Sequence, residues 1–234
     1  MNRVTVFWNW NDVLDAAVIR RQIADFKSRG IDGFFLHIMT SEFRDGDFHG
    51  GMPGYLTDGF FQMVQVAVTT AKEYGVDVWL YDESGWPSGI LNGYFAANRP
   101  DLMHRQIDAD GNIHISPDRP DLLNRETTDI FIDSTHGKYR EYVGEFFGTT
   151  VKGMFTDEPY FGSFTDTTLP FSPVLEKTFE QIKGYSAIEA AMQILQDRNE
   201  KAICDYYEVW LKLFRENFLL PIQNWCHANG LLAT

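Results

Sequence analysis

The ten residues V-K-G-M-F-T-D-E-P-Y, Val151 to Tyr160, decide how the rest of the chain is read. Val151 to Thr156 is a short apolar run with an internal glycine, the pattern of a strand covered on both faces, as in a parallel sheet. It ends in two adjacent carboxylates, Asp157 and Glu158. Pro159 cannot donate a ladder hydrogen bond and closes the strand. Side chains alternate along a strand, so only one of the two acids faces the same way as Phe155. An acid at the end of a buried strand is costly unless it is solvated, paired or used. The aromatic cluster that follows (Tyr160, Phe161, Phe164) suits a cleft better than a helix cap.

Composition narrows the classes. The 234 residues can bury a sizeable core. A formal net charge of −13 excludes the basic footprint that nucleic acid requires and disfavours an anionic membrane surface. No apolar run has the length of a membrane span, and Met1–Trp10 lacks the apolar core of a signal peptide, as in a cytoplasmic protein or the mature part of a secreted one. Cys204 and Cys226 both fall in a helical C-terminal segment. On one helix they lie about 33 Å apart, too far for a disulfide. The expectation is two free core thiols, and no C-x-x-C pair points to a metal.

Outward from the organising stretch the same unit recurs. Val4–Trp8 reads as a first strand, Ile31–Met39 as a second and Val76–Tyr81 as a third. A helix capped by Asn11 or Asp12 and stopped at Gly30 joins the first two. A second helix, capped by Thr57 or Asp58 and stopped at Gly75, leads into the third. A polar loop with Glu42, Asp45, Asp47 and His49 fills Thr40–Thr57. Residues 92–124 interrupt the rhythm with a hairpin, Leu102–Ile107 and Asn112–Ser116 around D-A-D-G, expected as an insertion in the third βα loop. Helical period returns over Arg125–Phe147. Ser172-Pro173 opens a further helix, helical pattern runs from Ser186 to His227 with a kink at Pro221, and Leu231–Thr234 begins a fifth strand. Strands alternating with helices give an α/β fold, here a parallel (β/α) barrel of TIM type in part, a single domain over 1–234 with about four βα units and the start of a fifth.

In such a sheet all strand carboxyl ends open on one face. That face collects Trp8, Asn9, Trp10 and Asn11 from the first strand and His37 from the second. Tyr81, Asp82, Glu83 and Trp86 come from the third, with Asp157, Glu158 and Tyr160 from the fourth. Carboxylates and amides bond hydroxyls, and flat rings stack on the apolar faces of pyranoses, so the set describes a sugar site. Each residue also has a plainer role: Trp8 or Trp10 in the core, His37 as a satisfied core histidine, Asp82 and Glu83 as turn caps. No G-x-G-x-x-G, P-loop or G-x-S-x-G signature occurs, which leaves nucleotide and serine-hydrolase chemistry without support.

The motifs W-L-Y-D-E-S-G-W-P-S-G (79–89) and F-T-D-E-P (155–159), the opening F-W-N-W-N and the C-terminal D-Y-Y…P-I-Q-N-W-C-H-A-N-G-L-L resemble the catalytic barrel of glycoside hydrolase family 106. That family contains α-L-rhamnosidases and many bacterial relatives. The resemblance implies a (β/α)₈ barrel and acid-assisted cleavage of a glycosidic bond, with calcium compatible and no other cofactor. A strand-four acid followed by Pro resembles the general acid of barrel glycosidases, which points to Glu158. Asp157 would tune it, Glu83 or Asp82 would supply a second carboxylate, and Trp8, Trp10, Asn11, His37, Tyr81, Trp86 and Tyr160 would line the sugar subsites. The implied partner is a glycoside. Family members continue through strands five to eight, whereas this chain stops as a fifth begins. The expectations are therefore the N-terminal half of a glycosidase barrel or, alternatively, a non-catalytic carbohydrate-binding fragment. Its inner face, expected to draw on Val4, Val6, Phe34, Leu36, Val78, Leu80, Met154 and Phe155, would be covered by a second copy or by the remainder of a longer polypeptide.

Overall fold

Apolar strands joined by crossover helices commonly pair in parallel, and those of the first sheet do so here. The computed structural model describes residues 4–39, 54–160 and 162–234. The loop acids Glu42, Asp45 and Asp47, His49 and Phe161 lie outside the described residues. In chain order the elements are β1 (Thr5–Trp10), α1 (Ala16–Ser28), β2 (Gly33–Ile38), α2 (Asp58–Tyr74), β3 (Asp77–Tyr81), α3 (Tyr94–Asn98), β4 (Met103–Asp108), β5 (Ile113–Pro120), α4 (Arg125–Ser134), α5 (His136–Val143), β6 (Val151–Phe155), β7 (Thr168–Phe171), α6 (Pro173–Lys183), α7 (Ala187–Asp197), α8 (Glu200–Phe214), α9 (Leu220–Ala228) and β8 (Leu232–Ala233). They form two compact units: Met1–Asn92 with Phe131–Pro159 and Gln223–Thr234, and Gly93–Ile130 with Tyr160–Ile222.

The first unit holds a five-stranded sheet in the order β1-β2-β3-β6-β8, every neighbouring pair parallel. Register pairs Val6 with Phe34, Phe34 with Val78 and Leu80 with Met154, which puts these side chains on one face. That face packs on the helices: Trp8 meets Phe26 of α1 edge-on at 5.4 Å, and Trp10 meets Phe60 of α2 at 6.2 Å. Thr57 caps α2 by accepting from the Phe60 N–H, and Gly75 ends it in the left-handed region at φ 63°. The cap of α1 is Asp15 rather than Asn11 or Asp12, because β1 runs on through Asn9 and Trp10 and postpones the helix.

The opposite face is a layer of rings: Phe7 from β1, Phe35 and His37 from β2, Trp79 and Tyr81 from β3, and Phe155 from β6. Phe7 and Phe155 stand three strands apart, about 14 Å in a flat sheet at the usual strand spacing. Their ring centroids are 5.5 Å apart. The sheet therefore curls about this layer, as an arc of a barrel does. Of the eight side chains that this inner face was expected to draw on, Phe155 is there, and Val4 is exposed ahead of β1. Val6, Phe34, Leu36, Val78, Leu80 and Met154 face the helices, because the alternation is shifted by one residue from that expectation. Phe7 and Leu232, at the two edges of the arc, are each 57% exposed.

Trp79 and β8 approach closely over Gly153. A Cβ there would sit 2.5 Å from the Leu232 carbonyl oxygen and inside the Trp79 ring. Backbone cannot yield as a side chain can, so Gly153→Ala should destabilise the unit by about 1–3 kcal/mol. A chaotrope midpoint equal to that of the wild type would contradict this packing.

In the second unit, β5, β4 and β7 form an antiparallel sheet, beside which α6, α7 and α8 pack on one another. The expected hairpin is β4–β5, turned over Asp108, whose Oδ1 accepts from the backbone N–H groups of Asp110 and Asn112. β7 was not foreseen, since T-L-P-F carries a proline; Pro170 is tolerated because β7 is an edge strand. Residues read as an insertion thus share a unit with 160–222. Just before Pro221, where a kink is expected, the helix takes a π-helical turn over Arg215–Leu219; the proline has no N–H to donate into the ladder. Both cysteines are free, but Cys204 is exposed rather than in the core.

Candidate active site

β6 delivers its acids as the alternation dictates. Phe155 lies in the ring layer, Thr156 turns away, and Asp157 turns back toward His37, with Oδ2 3.5 Å from Nε2. Glu158 is exposed and sits at φ 44°, in the left-handed region that costs a non-glycine residue about 1 kcal/mol or more. A neighbouring loop holds that turn. The Ser88 N–H donates to the Asp157 carbonyl at 2.7 Å, and the Ser88 hydroxyl accepts from the Asp157 N–H at 2.8 Å. The same hydroxyl donates to Asp82 Oδ1 at 2.6 Å, and Thr156 donates to Asp82 Oδ2 at 2.6 Å. Ser88 and Thr156 were not singled out in the sequence. The signal was the second serine of S-G-W-P-S-G, which reads simply as a loop residue.

Asp82 and Glu83 are fully buried. Glu83 accepts from three backbone N–H groups, those of Ser84 (3.0 Å), Leu91 (2.6 Å) and Asn92 (2.8 Å). The loop 84–92 is thus wound around one carboxylate, with Leu91 and Asn92 both at positive φ. Burial pushes Asp82 up to about 7 and Glu83 up to about 8, against the hydrogen bonds that favour their ionised forms. His136 lies within 4.0 Å of Asp82, is completely buried, and is pushed down to about 3 by that burial. The place of the two acids fits a buttress beneath the strand-end turn rather than a carboxylate open to a sugar.

His37 is held on several sides. Its Nδ1 is 3.1 Å from Asn9 Oδ1. Its ring stacks on Tyr81 at 4.6 Å and near Trp86 at 6.1 Å, and Phe7 meets it edge-on. The Tyr81 hydroxyl donates to the Gly85 carbonyl, which fixes that ring in turn. Asn9, His37, Tyr81, Trp86 and Asp157 therefore do come together. Trp8 and Trp10 do not: both are buried on the helix side, and the Trp8 indole donates to Gln22 at 3.1 Å. Asn11 instead lines a cavity of about 560 Å³ with Val13, Leu14, Met39, Phe60 and Met63. Tyr160 belongs to the second unit, where it meets His104 edge-on and the Arg119 guanidinium lies over its ring. Among the described residues no group of three or more His, Cys, Asp or Glu side chains is placed to hold a metal ion. No described helix is long and apolar enough to cross a membrane.

Compared with solved structures, 99% of the chain superposes on a rhamnosidase from Novosphingobium sp. PP1Y, with a TM-score of 0.61 at 8% identity. The likeness is one of fold, a parallel (β/α) sheet curled as part of a barrel. The match covers 45% of that rhamnosidase, so the chain spans less than half of its length. A β-galactosidase from Halorubrum lacusprofundi (TM-score 0.47, 16% identity, 93% of this chain and 35% of that one) and a chitobiase from Flavobacterium johnsoniae (TM-score 0.46, 14% identity, 91% and 30%) are also similar. No family model and no curated protein matches the sequence.

Proposed function

We propose that this chain carries the acid half of a glycoside hydrolase site of the α-L-rhamnosidase type, the family 106 reading. The observation that supports it most is the strand-end turn: an exposed Glu158 forced into the left-handed region by a clamp, beside an inward Asp157 paired to an imidazole. Strain maintained by dedicated hydrogen bonds is a common mark of functional sites. Glu158 donates the proton to the leaving glycosidic oxygen. Since it is exposed in this chain, its desolvation has to come with the bound substrate. Asp157 faces the ring layer as an acceptor for sugar hydroxyls, and Trp86 offers its half-buried indole beside it.

Turnover of an aryl α-L-rhamnoside tests the reading. Glu158→Gln should lower it by about 10²–10⁴-fold, the usual worth of one general acid, and leave sugar affinity within a few-fold. Wild-type turnover in that variant overturns the assignment. A second reading, a carbohydrate-binding module without catalysis, is favoured by one observation. At the ends of β3 and β6, Asp82 and Glu83 are buried and bonded, which leaves the adjacent Asp157 and Glu158 as the open carboxylates of those two strands. Sugar binding in a calorimeter with no hydrolysis would decide for that second reading.

A further inference from the structure

We propose that His37 is the positioning residue for Asp157, holding its carboxylate through a proton on Nε2, and that Asn9 orients the imidazole for this task. The purpose of the arrangement rests on the glycosidase reading; its geometry does not.

An ionised carboxylate accepts hydrogen bonds and cannot donate them. A lone pair on Nε2, 3.5 Å from Asp157 Oδ2, would set two acceptors against each other. A proton on Nε2 turns the same contact into a charge-assisted one. The other nitrogen adapts to either state of the ring. If Nδ1 also carries a proton, it donates to Asn9 Oδ1 at 3.1 Å; if not, the Asn9 amide turns over and donates to it. Nε2–H is common to both. The ring cannot swing away to relieve a wrong assignment, because Phe7, Tyr81, Trp86 and Phe155 surround it with centroids between 4.6 and 6.4 Å. His37 itself is only 7% exposed.

Among the described residues, the elements packed against the ring are β1 with Phe7 and Asn9, β3 and its loop with Tyr81 and Trp86, and β6 with Phe155 and Asp157. The titratable groups among these are Tyr81, whose hydroxyl is committed to the Gly85 carbonyl, and Asp157. Asp157 is the anion this ring has to serve. With Oδ2 facing the imidazole at 3.5 Å, the remaining oxygen of a side chain that is 21% exposed is left for a substrate hydroxyl. The partly open acceptor is thereby aimed by residues from three strands rather than by its own loop.

The ring nitrogens can be read directly by long-range proton–nitrogen NMR, assigned with His37→Gln. The expected wild-type spectrum shows the proton on Nε2 at neutral and alkaline pH. In Asp157→Ala the proton should move to Nδ1, since Asn9 Oδ1 is then the better acceptor. A wild-type ring protonated on Nδ1 alone, or a ring spectrum indifferent to Asp157→Ala, overturns the proposal. Turnover gives the second readout. His37→Ala should lower kcat/KM by about 10–100-fold through misplacement of the acceptor, and His37→Gln, which keeps an N–H donor, should recover most of it. Equal activity of His37→Ala and wild type would overturn the positioning role even if the contact is found. Absence of any turnover in the wild type would count against the glycosidase reading and leave the NMR result to stand or fall by itself.

Discussion

Glu83→Ala should fail to give a folded protein at 37 °C, although Glu83 was a candidate catalytic carboxylate in the sequence. Three backbone N–H groups converge on its two oxygens, from Ser84, Leu91 and Asn92. Each would be left buried or half-buried without an acceptor, at about 1–3 kcal/mol apiece. The sum is comparable to the whole stability of an ordinary domain, about 5–15 kcal/mol. The loop 84–92 winds around this carboxylate, and it carries Ser88, the clamp on the Asp157 turn. Glu83→Gln keeps the shape and one acceptor oxygen but points an amide N–H at a backbone N–H, so it should be folded and less stable. Circular dichroism of the two variants checks this. If Glu83→Ala melts with the wild type, the carboxylate is not the centre of the loop. A catalytic role would give the reverse pattern, with stability untouched and turnover lost.

The contrast shows where sequence reading stops. Strand–helix order, the Gly75 stop and the Ser172-Pro173 helix start were legible because each depends on a local rule: apolar runs, a left-handed cap, a proline at the first helical turn. Parallel pairing followed from the connections. Which residues face the mouth did not, because β1 continues two residues beyond the expected end and Trp8 and Trp10 then turn to the helices. Adjacent Asp82 and Glu83 look in sequence like Asp157 and Glu158. What separates the pairs is a loop folding back over the first and a left-handed turn opening the second. Neither is written in composition or period. Asn9 beside His37 was collected at the right face, but its role depends on register across two strands.

The buried acids also fix how stability should vary with pH. Asp82 rises from 3.8 to about 7 and Glu83 from 4.5 to about 8, both chiefly by burial. A carboxyl whose folded value is raised binds its proton more tightly in the folded state. Its favourable contribution is complete below the unfolded value and is lost as pH climbs through the folded one. His136 has the opposite dependence: lowered from 6.5 to about 3, it favours folding above 6.5 and loses that contribution as pH falls toward 3. Between about pH 4.5 and 6.5 these two acids pull the first unit's stability down with rising pH and His136 pulls it up, leaving a shallow decline in that unit. Above 6.5 the histidine no longer contributes to the slope, and the acids alone act until each has ionised. The thermal midpoint should therefore fall most steeply between about pH 6.5 and 7.5, with a total on the order of a few kcal/mol across the range. Asp82→Asn supplies the control. Ser88 and Thr156 meet Asp82 with rotatable hydroxyls, so the amide is accommodated, and the decline should become visibly shallower. A midpoint that rises from pH 5 to 8 in the wild type, or an unchanged slope in Asp82→Asn, would mean that the hydrogen bonds to these acids outweigh their burial and that both are already ionised well below neutral pH.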